Sequence, residues 1–113
     1  METASKSRVS TIRDLNDAFR VSFVGGSVMI TPGVEALDEV MRARVLKMVR
    51  NFKDFEEGND PHGEHDFGAI EASGRKFFWK IDYYDKACRE GSPNPADPRV
   101  TTRILTVMLA SEY

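Results

Sequence analysis

Apolar residues recur along this chain at two different spacings, which predicts that it contains both helices and strands. Ile12, Leu15 and Phe19 follow the three-to-four-residue spacing of a helix, and a capping box over residues 11–14 is expected to start it. The pair Gly25-Gly26 is a strong helix breaker. The N-terminal segment is therefore predicted to form one short helix.

The most regular helical pattern covers residues from about 32 to 52. Thr31-Pro32 is a typical start, because threonine caps a helix and proline is favoured at its first position. The polar side of this predicted helix is cationic, and we interpret it as a solvated face or, alternatively, as a contact for an anionic partner. The apolar stripe consists of Leu37, Val40, Met41, Val45, Met48, Val49 and Phe52.

A two-residue turn joins two segments that read as strands. Ser73-Gly74 between residues 67–72 and 75–83 is typical of a β-hairpin. The resulting register places Gly68 opposite Trp79, where the missing side chain leaves room for the indole ring. A slip of one residue would move every side chain to the other face, so the pairing is a sharp prediction.

Two further segments are interpreted as strands. Val28 to Ile30 is a short β-rich run, and residues 100–110 fit either a helix or, because many are β-branched, a strand. We predict a strand buried on both sides. The predicted fold class is α+β, with a small, mostly antiparallel sheet that contains the hairpin 67–83 and the C-terminal strand. One long helix (about 32–52) and the short N-terminal helix are expected to pack against this sheet.

Composition and charge narrow the class of protein. The 113 residues, 41% hydrophobic and 30% charged, predict one globular domain over residues 9–113 after a disordered lead-in at residues 1–8. The net charge of −2 gives no overall field that favours nucleic acid, and no apolar run approaches membrane-spanning length. The lone Cys88 can form neither an internal disulfide nor a thiolate metal site, as expected of a protein in the cytoplasm.

The densest group of polar side chains lies in the turn at residues 59–68. His62 and His65 have His-x-x-His spacing, and the hairpin register places His65 opposite Asp82. One hypothesis is a divalent metal site of His62, His65 and Asp82 that activates water for hydrolysis. The other is structural and needs no cofactor: the His65–Asp82 pair fixes strand register, while Asp60 accepts from backbone amides of the turn.

The aromatic second strand of the hairpin suggests a binding surface. Rings interleaved with lysine are typical of stacking platforms for single-stranded nucleic acid, although the nearby Asp66, Asp82 and Asp85 would repel phosphates. A protein partner fits as well, because aromatic side chains beside charges are common at interfaces. The cations that would serve nucleic-acid binding are Arg42, Arg44, Lys47, Arg50 and Lys80.

Five segments together resemble one protein family, namely residues 15–20, 59–68, 79–85, 91–98 and 102–113. The chain is similar, from about Val9 to Tyr113, to the domain-of-unknown-function family numbered 3768, found in alphaproteobacteria and often on plasmids and other mobile elements. No established activity comes with this resemblance, so it implies no catalytic residues. The genetic setting implies plasmid maintenance or evasion of host defence.

The function expected from these observations is that of a small cytoplasmic binding protein of mobile elements, without turnover. It would contact a protein or nucleoprotein partner, for example a host defence complex that it inhibits. The alternatives are the metal-dependent hydrolase and the nucleic-acid-binding protein described above. The expected binding surface comprises Asp60, His62, Glu64, His65, Asp82, Tyr84 and Asp85.

Overall fold

The structure, a computed structural model, describes residues 7–113. Within that range no helix is both long enough and apolar enough to cross a membrane. The elements are α1 (Arg8–Ser22), β1 (Ser27–Ile30), α2 (Pro32–Glu35), α3 (Glu39–Arg50), β2 (Phe67–Ala72), β3 (Arg75–Tyr84), β4 (Thr102–Leu109) and a final 3-10 turn (Ala110–Glu112).

The four strands form one mixed sheet in the order β1-β4-β3-β2. β2 and β4 both pair antiparallel with β3, whereas β1 pairs parallel with β4. The α+β class and the mostly antiparallel sheet are therefore confirmed, and the segment that fitted both a helix and a strand is strand β4. It lies inside the sheet as predicted, but the expected burial on both sides is wrong: Arg103, Leu105 and Val107 are buried on one face, whereas most residues of the other face are half-buried.

The helices pack on one face of this sheet and enclose the core. Phe19 of α1 and Val45 and Val49 of α3 meet the fully buried Phe77 and Trp79 of β3 in one cluster. Burial of each such large side chain contributes about 1.5–3 kcal/mol. This single layer of helices leaves the opposite side of the sheet uncovered by any α-helix among residues 7–113.

The predicted helix over 32–52 is wrong in one respect, because the chain breaks it into α2 and α3. Asp38 is extended (φ −63°, ψ 162°), and its carboxylate accepts from the backbone N–H of Met41, so it starts a new helix as an N-cap. Arg42 stabilises the break by donating to the carbonyl oxygens of Glu35 and Leu37, at 3.0 and 2.9 Å. Val40, placed in the apolar stripe, is 81% exposed.

The start of α1 also differs from the prediction. Ser7 is the N-cap, with its side chain accepting from the backbone N–H of Ser10, and Thr11 of the expected capping box lies inside the helix. Residues 1–6 of the predicted lead-in lie outside the described residues, while Ser7 and Arg8 begin α1. The helix ends before Gly25-Gly26, as expected, with Phe23 in a left-handed conformation.

The hairpin forms in the predicted register. Gly68 pairs with Trp79, and Ser73 and Gly74 both have positive φ (52° and 77°), as a tight two-residue hairpin turn requires. An added Cβ on Gly68 would lie 2.9 Å from Phe52 Cζ. As the sequence indicated, the absence of a side chain at Gly68 leaves room for the indole ring of Trp79.

Candidate functional site

A histidine that lies between two carboxylates links the turn at residues 59–68, which we call the acidic turn, to α1. His65 Nδ1 lies 2.9 and 3.1 Å from the two carboxylate oxygens of Asp17. Since a carboxylate only accepts, Nδ1 is the donor in this contact. On the other side, His65 Nε2 lies 3.6 Å from Asp60 Oδ2. The imidazole thus joins a loop to a helix that lies 48 residues earlier.

The local backbone brings His65 into this position. The buried Asp60 accepts from the backbone N–H of His65 through Oδ1, and its own carbonyl oxygen accepts from Gly63 N–H, so the turn closes on itself. His65 then takes a left-handed conformation (φ 55°), which turns its ring out of the strand direction. Phe55 receives the ring in a parallel stack, with ring centroids 3.7 Å apart. Backbone and aromatic packing together fix the imidazole.

Arg20 connects Asp17 to the hydrophobic core. Its Nη1 donates to Asp17 Oδ1 at 3.0 Å and its Nη2 to the carbonyl oxygen of Phe52 at 3.1 Å. The guanidinium lies over the rings of Phe55 and Trp79, 5.1 and 5.2 Å from their centroids. Only 4% of the side chain is exposed, so this cation belongs to the core and is stabilised by a carboxylate and two rings.

A second polar network lies beside the first. The fully buried Asn16 donates through Nδ2 to Tyr83 Oη at 2.8 Å and accepts from Arg103 Nε at 2.7 Å. Tyr83 Oη in turn donates to Glu64 at 2.7 Å. Burial, reinforced by the hydrogen bond to Glu64, raises the pKa of Tyr83, and burial lowers the pKa of Arg103. Burial, followed by repulsion from Glu64, likewise raises the pKa of Asp66.

An open groove of about 660 Å³ runs past the first network. Asp17, Arg20, Phe55 and His65 line one part of it, and Arg50 and Lys53 add positive charge. An Asp–His pair is the arrangement that orients a general base. Here the second ring nitrogen of His65 faces Asp60, so the two carboxylates hold the imidazole from both sides.

Residues 30–112 match the family described as "Protein of unknown function (DUF3768)". The chain belongs to the DUF3768 family. No curated protein and no solved structure matches it. The matched range includes the acidic turn and both partners of Asn16 on β3 and β4, whereas Asn16, Asp17 and Arg20 precede it.

The expected binding surface of this DUF3768 chain is divided between two sides of the sheet. Asp60, Glu64 and His65 lie together in the networks on the helix side. His62 is exposed in the same turn. Asp82 and Tyr84 line a cavity on the opposite side, and Asp85 accepts from the backbone N–H of Arg89 in the loop that follows.

The predicted contact between His65 and Asp82 is wrong. The hairpin pairing ends at Phe67, and His65 leaves the ladder with positive φ, so its ring reaches Asp17 on α1. Asp82 instead forms an ion pair with Lys80 at 2.9 Å on the other face of β3. The register was correct, but it does not extend far enough to bring these two side chains together.

The fold separates His65 from Asp82 of the metal hypothesis, and it separates Lys80 from the four α3 cations of the nucleic-acid hypothesis. Among residues 7–113, no group of three His, Cys, Asp or Glu side chains is placed to hold a metal ion. Of the proposed nucleic-acid cations, Lys80 is on the open side of the sheet, opposite α3. Arg42 donates to carbonyl oxygens at the start of α3. The other three cations of α3 are exposed, namely Arg44, Lys47 and Arg50, although Arg44 donates to Ser73 Oγ and Arg50 to Val21 O.

Four residues of the DUF3768 networks were missed by sequence reasoning, namely Asn16, Asp17, Arg20 and Arg103. A signal was available for three of them. Asn16 and Arg20 fall on the same helical face as Ile12 and Phe19, and a polar side chain in an apolar stripe needs a buried partner. Arg103 lies on the same face of β4 as the buried Leu105 and Val107, so its side chain also needs a buried partner.

Proposed function

We propose that this DUF3768 chain is a non-catalytic binding protein that contacts a protein partner through the uncovered side of its sheet. We call this side the open face; it carries Phe78, Lys80, Asp82 and Tyr84 of β3. The partner surface that fits it is apolar, with a rim that carries charges of both signs. Three physical observations support the proposal.

The observation that carries the proposal is an aromatic cluster on the open face. The rings of Phe67, Phe78 and Tyr113 lie within contact of one another, with centroid distances of 5.2, 5.3 and 5.9 Å. Tyr113 is 74% exposed, and Met29 at the other edge of this face is 53% exposed. Phe67 and Phe78 are half-buried, so the rings of this cluster are partly accessible, and accessible aromatic side chains are typical of protein interaction sites.

The charges beside this cluster are of both signs and favour a partner whose rim also carries both signs. Lys76 Nζ lies 5.5 Å from the centre of the Phe78 ring. Lys80 follows Phe78 by two residues on β3 and lies on the same face. The ion pair of Lys80 with Asp82 leaves a surface on which cation and carboxylate alternate. Such a pattern selects a partner by charge complementarity more than it adds affinity.

The polar networks on the helix side support binding rather than turnover. His65 donates through Nδ1 to Asp17, and the Tyr83 hydroxyl both accepts from Asn16 and donates to Glu64. Groups that satisfy one another in this way stabilise a unique packing of the chain. They are therefore accounted for by the fold, without a substrate.

A more specific form of the proposal is that the protein acts in the cytoplasm and inhibits a host defence complex. This form depends on the association of the resembled family with mobile elements, which concerns genetic setting and not mechanism. It predicts that the partner captured in the experiment below is a subunit of such a complex.

The test combines photo-crosslinking with matched surface substitutions. A photoreactive residue replaces Thr106, at the centre of the open face, or Val40, exposed on α3, and partners are captured from the source organism. We expect the same protein to crosslink at position 106 and not at position 40. Met29→Glu should remove the crosslink, whereas the control Val40→Glu should retain it.

Two results would contradict the proposal. One is a partner that crosslinks only at position 40 or that tolerates Met29→Glu. The other is hydrolytic turnover by untagged protein that contains a stoichiometric divalent metal, which would favour the hydrolase alternative.

A further inference from the structure

We infer that β2 receives an extended acidic segment of the partner as an additional strand, in the groove between β2 and α3 that we call the β2 groove. This inference rests on the proposed function, because it requires a protein partner, and it adds where and how a peptide segment of that partner binds. Three features of the molecule carry it: a free strand edge, a groove beside that edge, and cations along the groove.

The outer edge of β2 presents unpaired backbone groups. β2 is the last strand in the sheet order, and no further strand pairs with it among the described residues. The Ile81 N–H donates to the Asp66 carbonyl at 2.8 Å, so even-numbered residues of this segment direct their backbone groups toward β3. In an antiparallel ladder the alternate residues then point away. Phe67, Ala69 and Glu71 therefore offer their N–H and C=O groups to an incoming strand.

A groove of about 750 Å³ lies directly along this edge. Ala69, Ile70 and Glu71 form its floor, and α3 forms its wall with Arg44 and Lys47. An exposed edge beside a helix is the arrangement in which peptides bind by strand addition, with the backbone giving affinity and alternate side chains giving specificity.

Positive charge is spread along the whole groove. Arg44 Nη1 lies 3.3 Å from Ser73 Oγ at the hairpin turn. Phe52, two residues after the end of α3, approaches Gly68. α3 therefore runs antiparallel to β2, and Arg44, Lys47 and Lys53 follow one another along the strand.

Two carboxylates also line the groove, Asp54 and Glu71. Glu71 lies opposite Lys76 in the ladder between β2 and β3, on the open face of the sheet. Its side chain is therefore directed away from α3. Asp54 is adjacent to Lys53 in the chain, and Arg44 and Lys47 leave the helix wall of the groove with a net positive charge. A segment with acidic residues facing α3 is complementary to them.

Strand geometry specifies the sequence pattern of the ligand. Successive side chains of an added strand point to opposite faces of the sheet. Residues on the helix side meet Arg44 and Lys47, whereas the residues between them continue the open face beside Phe67 and Ala69. The expected segment alternates acidic and apolar residues. The other sheet edge, β1, is only four residues long.

The probe is a short synthetic peptide with capped ends that alternates Glu and Val, and the control peptide carries Lys in place of Glu. Binding is measured by fluorescence anisotropy at low and high salt, and amide hydrogen exchange of the full chain is followed by NMR. We expect only the Glu peptide to bind, more weakly at high salt, and to protect the N–H groups of Phe67, Ala69 and Glu71.

Substitutions separate the charge contribution from the backbone contribution. The double reversal Arg44→Glu with Lys47→Glu should weaken binding by about tenfold or more. The matched double reversal Lys86→Glu with Arg89→Glu, on exposed residues of the loop after β3, should leave affinity unchanged. Ala69→Pro removes an N–H that points outward, which an edge strand tolerates, and should also abolish binding.

Several results would overturn the inference. They are no binding of the Glu peptide, binding without protection of the three amides, and binding that survives the Arg44/Lys47 reversal. The last two remain decisive if Ala69→Pro fails to fold. A concentration-dependent dimer of the free chain that protects the same amides would assign the edge to a second copy instead. Crosslinking at position 106 is measured in a separate experiment. Loss of peptide binding at the β2 groove can therefore be distinguished from loss of partner binding at the open face.

Discussion

A substitution at Gly68 tests the packing that joins the hairpin to the core. A methyl group at this position would lie 2.7 Å from Trp79 Cε2 and 2.9 Å from Phe52 Cζ, and closer still to the indole nitrogen. Ordinary carbon contacts are about 3.5–4.0 Å, so Gly68→Ala forces the rings back by about 1 Å. Trp79 is fully buried, so its ring is surrounded by other atoms, whereas Phe52 is 8% exposed and borders the two grooves beside α3.

The magnitude follows from the cost of overpacking. Trp79 Nε1 has no hydrogen-bond partner among the described residues, so its displacement breaks no hydrogen bond and the penalty is steric. Forcing an extra methyl into a tightly packed core costs about 1–3 kcal/mol of unfolding free energy. For a domain of this size that corresponds to a decrease in Tm of about 4–12 °C.

Chemical and thermal denaturation measure the effect, with Trp79 as an internal reporter because it is the one tryptophan of the chain. Gly58→Ala is the matched control, since its added methyl would meet no atom within 4 Å. The control should be neutral or stabilising by up to about 1 kcal/mol. If Gly68→Ala unfolds at the same denaturant concentration as the wild type, the contact between Gly68 and the indole is not as tight as described.

Three further predictions concern capping and protonation. Asp38→Ala should lower the free energy of unfolding by about 1 kcal/mol, because Met41 N–H loses its acceptor; urea denaturation measures this change. Asp66→Asn should stabilise the protein at neutral pH, because the raised pKa of Asp66 means that its charged form is disfavoured in the folded state. Tyr83 has a raised pKa, so its contribution to stability is complete below pH 10.0, its ordinary pKa, and decreases as the pH rises above that value. Tyr83→Phe should lower stability at neutral pH by about 1–3 kcal/mol by leaving Glu64 without this donor, and should reduce the loss at alkaline pH.

Each of these predictions has its own control. Asp38→Ser retains a capping oxygen and should stay close to the wild type, so an equal loss in both variants would contradict the capping argument. The advantage of Asp66→Asn should disappear in acid, where the wild-type carboxyl is protonated; an advantage that persists there is not electrostatic. A Tyr83→Phe variant whose alkaline unfolding matches the wild type would assign that transition to another group.

Local sequence rules identified the hairpin correctly because turn and packing agree there. Ser73-Gly74 sets the register, and Gly68 is the position that admits Trp79. The same rules missed the break between α2 and α3, because the apolar spacing continues through it. The contrary signal was Asp38, a residue that favours helix starts and competes with the apolar pattern.

The partner of His65 could not be read from neighbouring strands. Its position was extrapolated from the ladder, yet one left-handed residue is enough to redirect a side chain. The actual partner, Asp17, lies on a helix 48 residues away in sequence, and only the docking of α1 brings the two together. Periodicity shows which residues are buried, whereas the pairing of buried polar groups depends on tertiary packing.

The position of β4 between β1 and β3 affects the order in which the molecule assembles. α1 and β1 precede the hairpin in the chain, but β1 has no neighbour until β4 is in place. Closing the long loop from Ile30 to Thr102 costs entropy before any contact repays it. We therefore expect β2, β3 and β4 to pair first and β1 to join the sheet last.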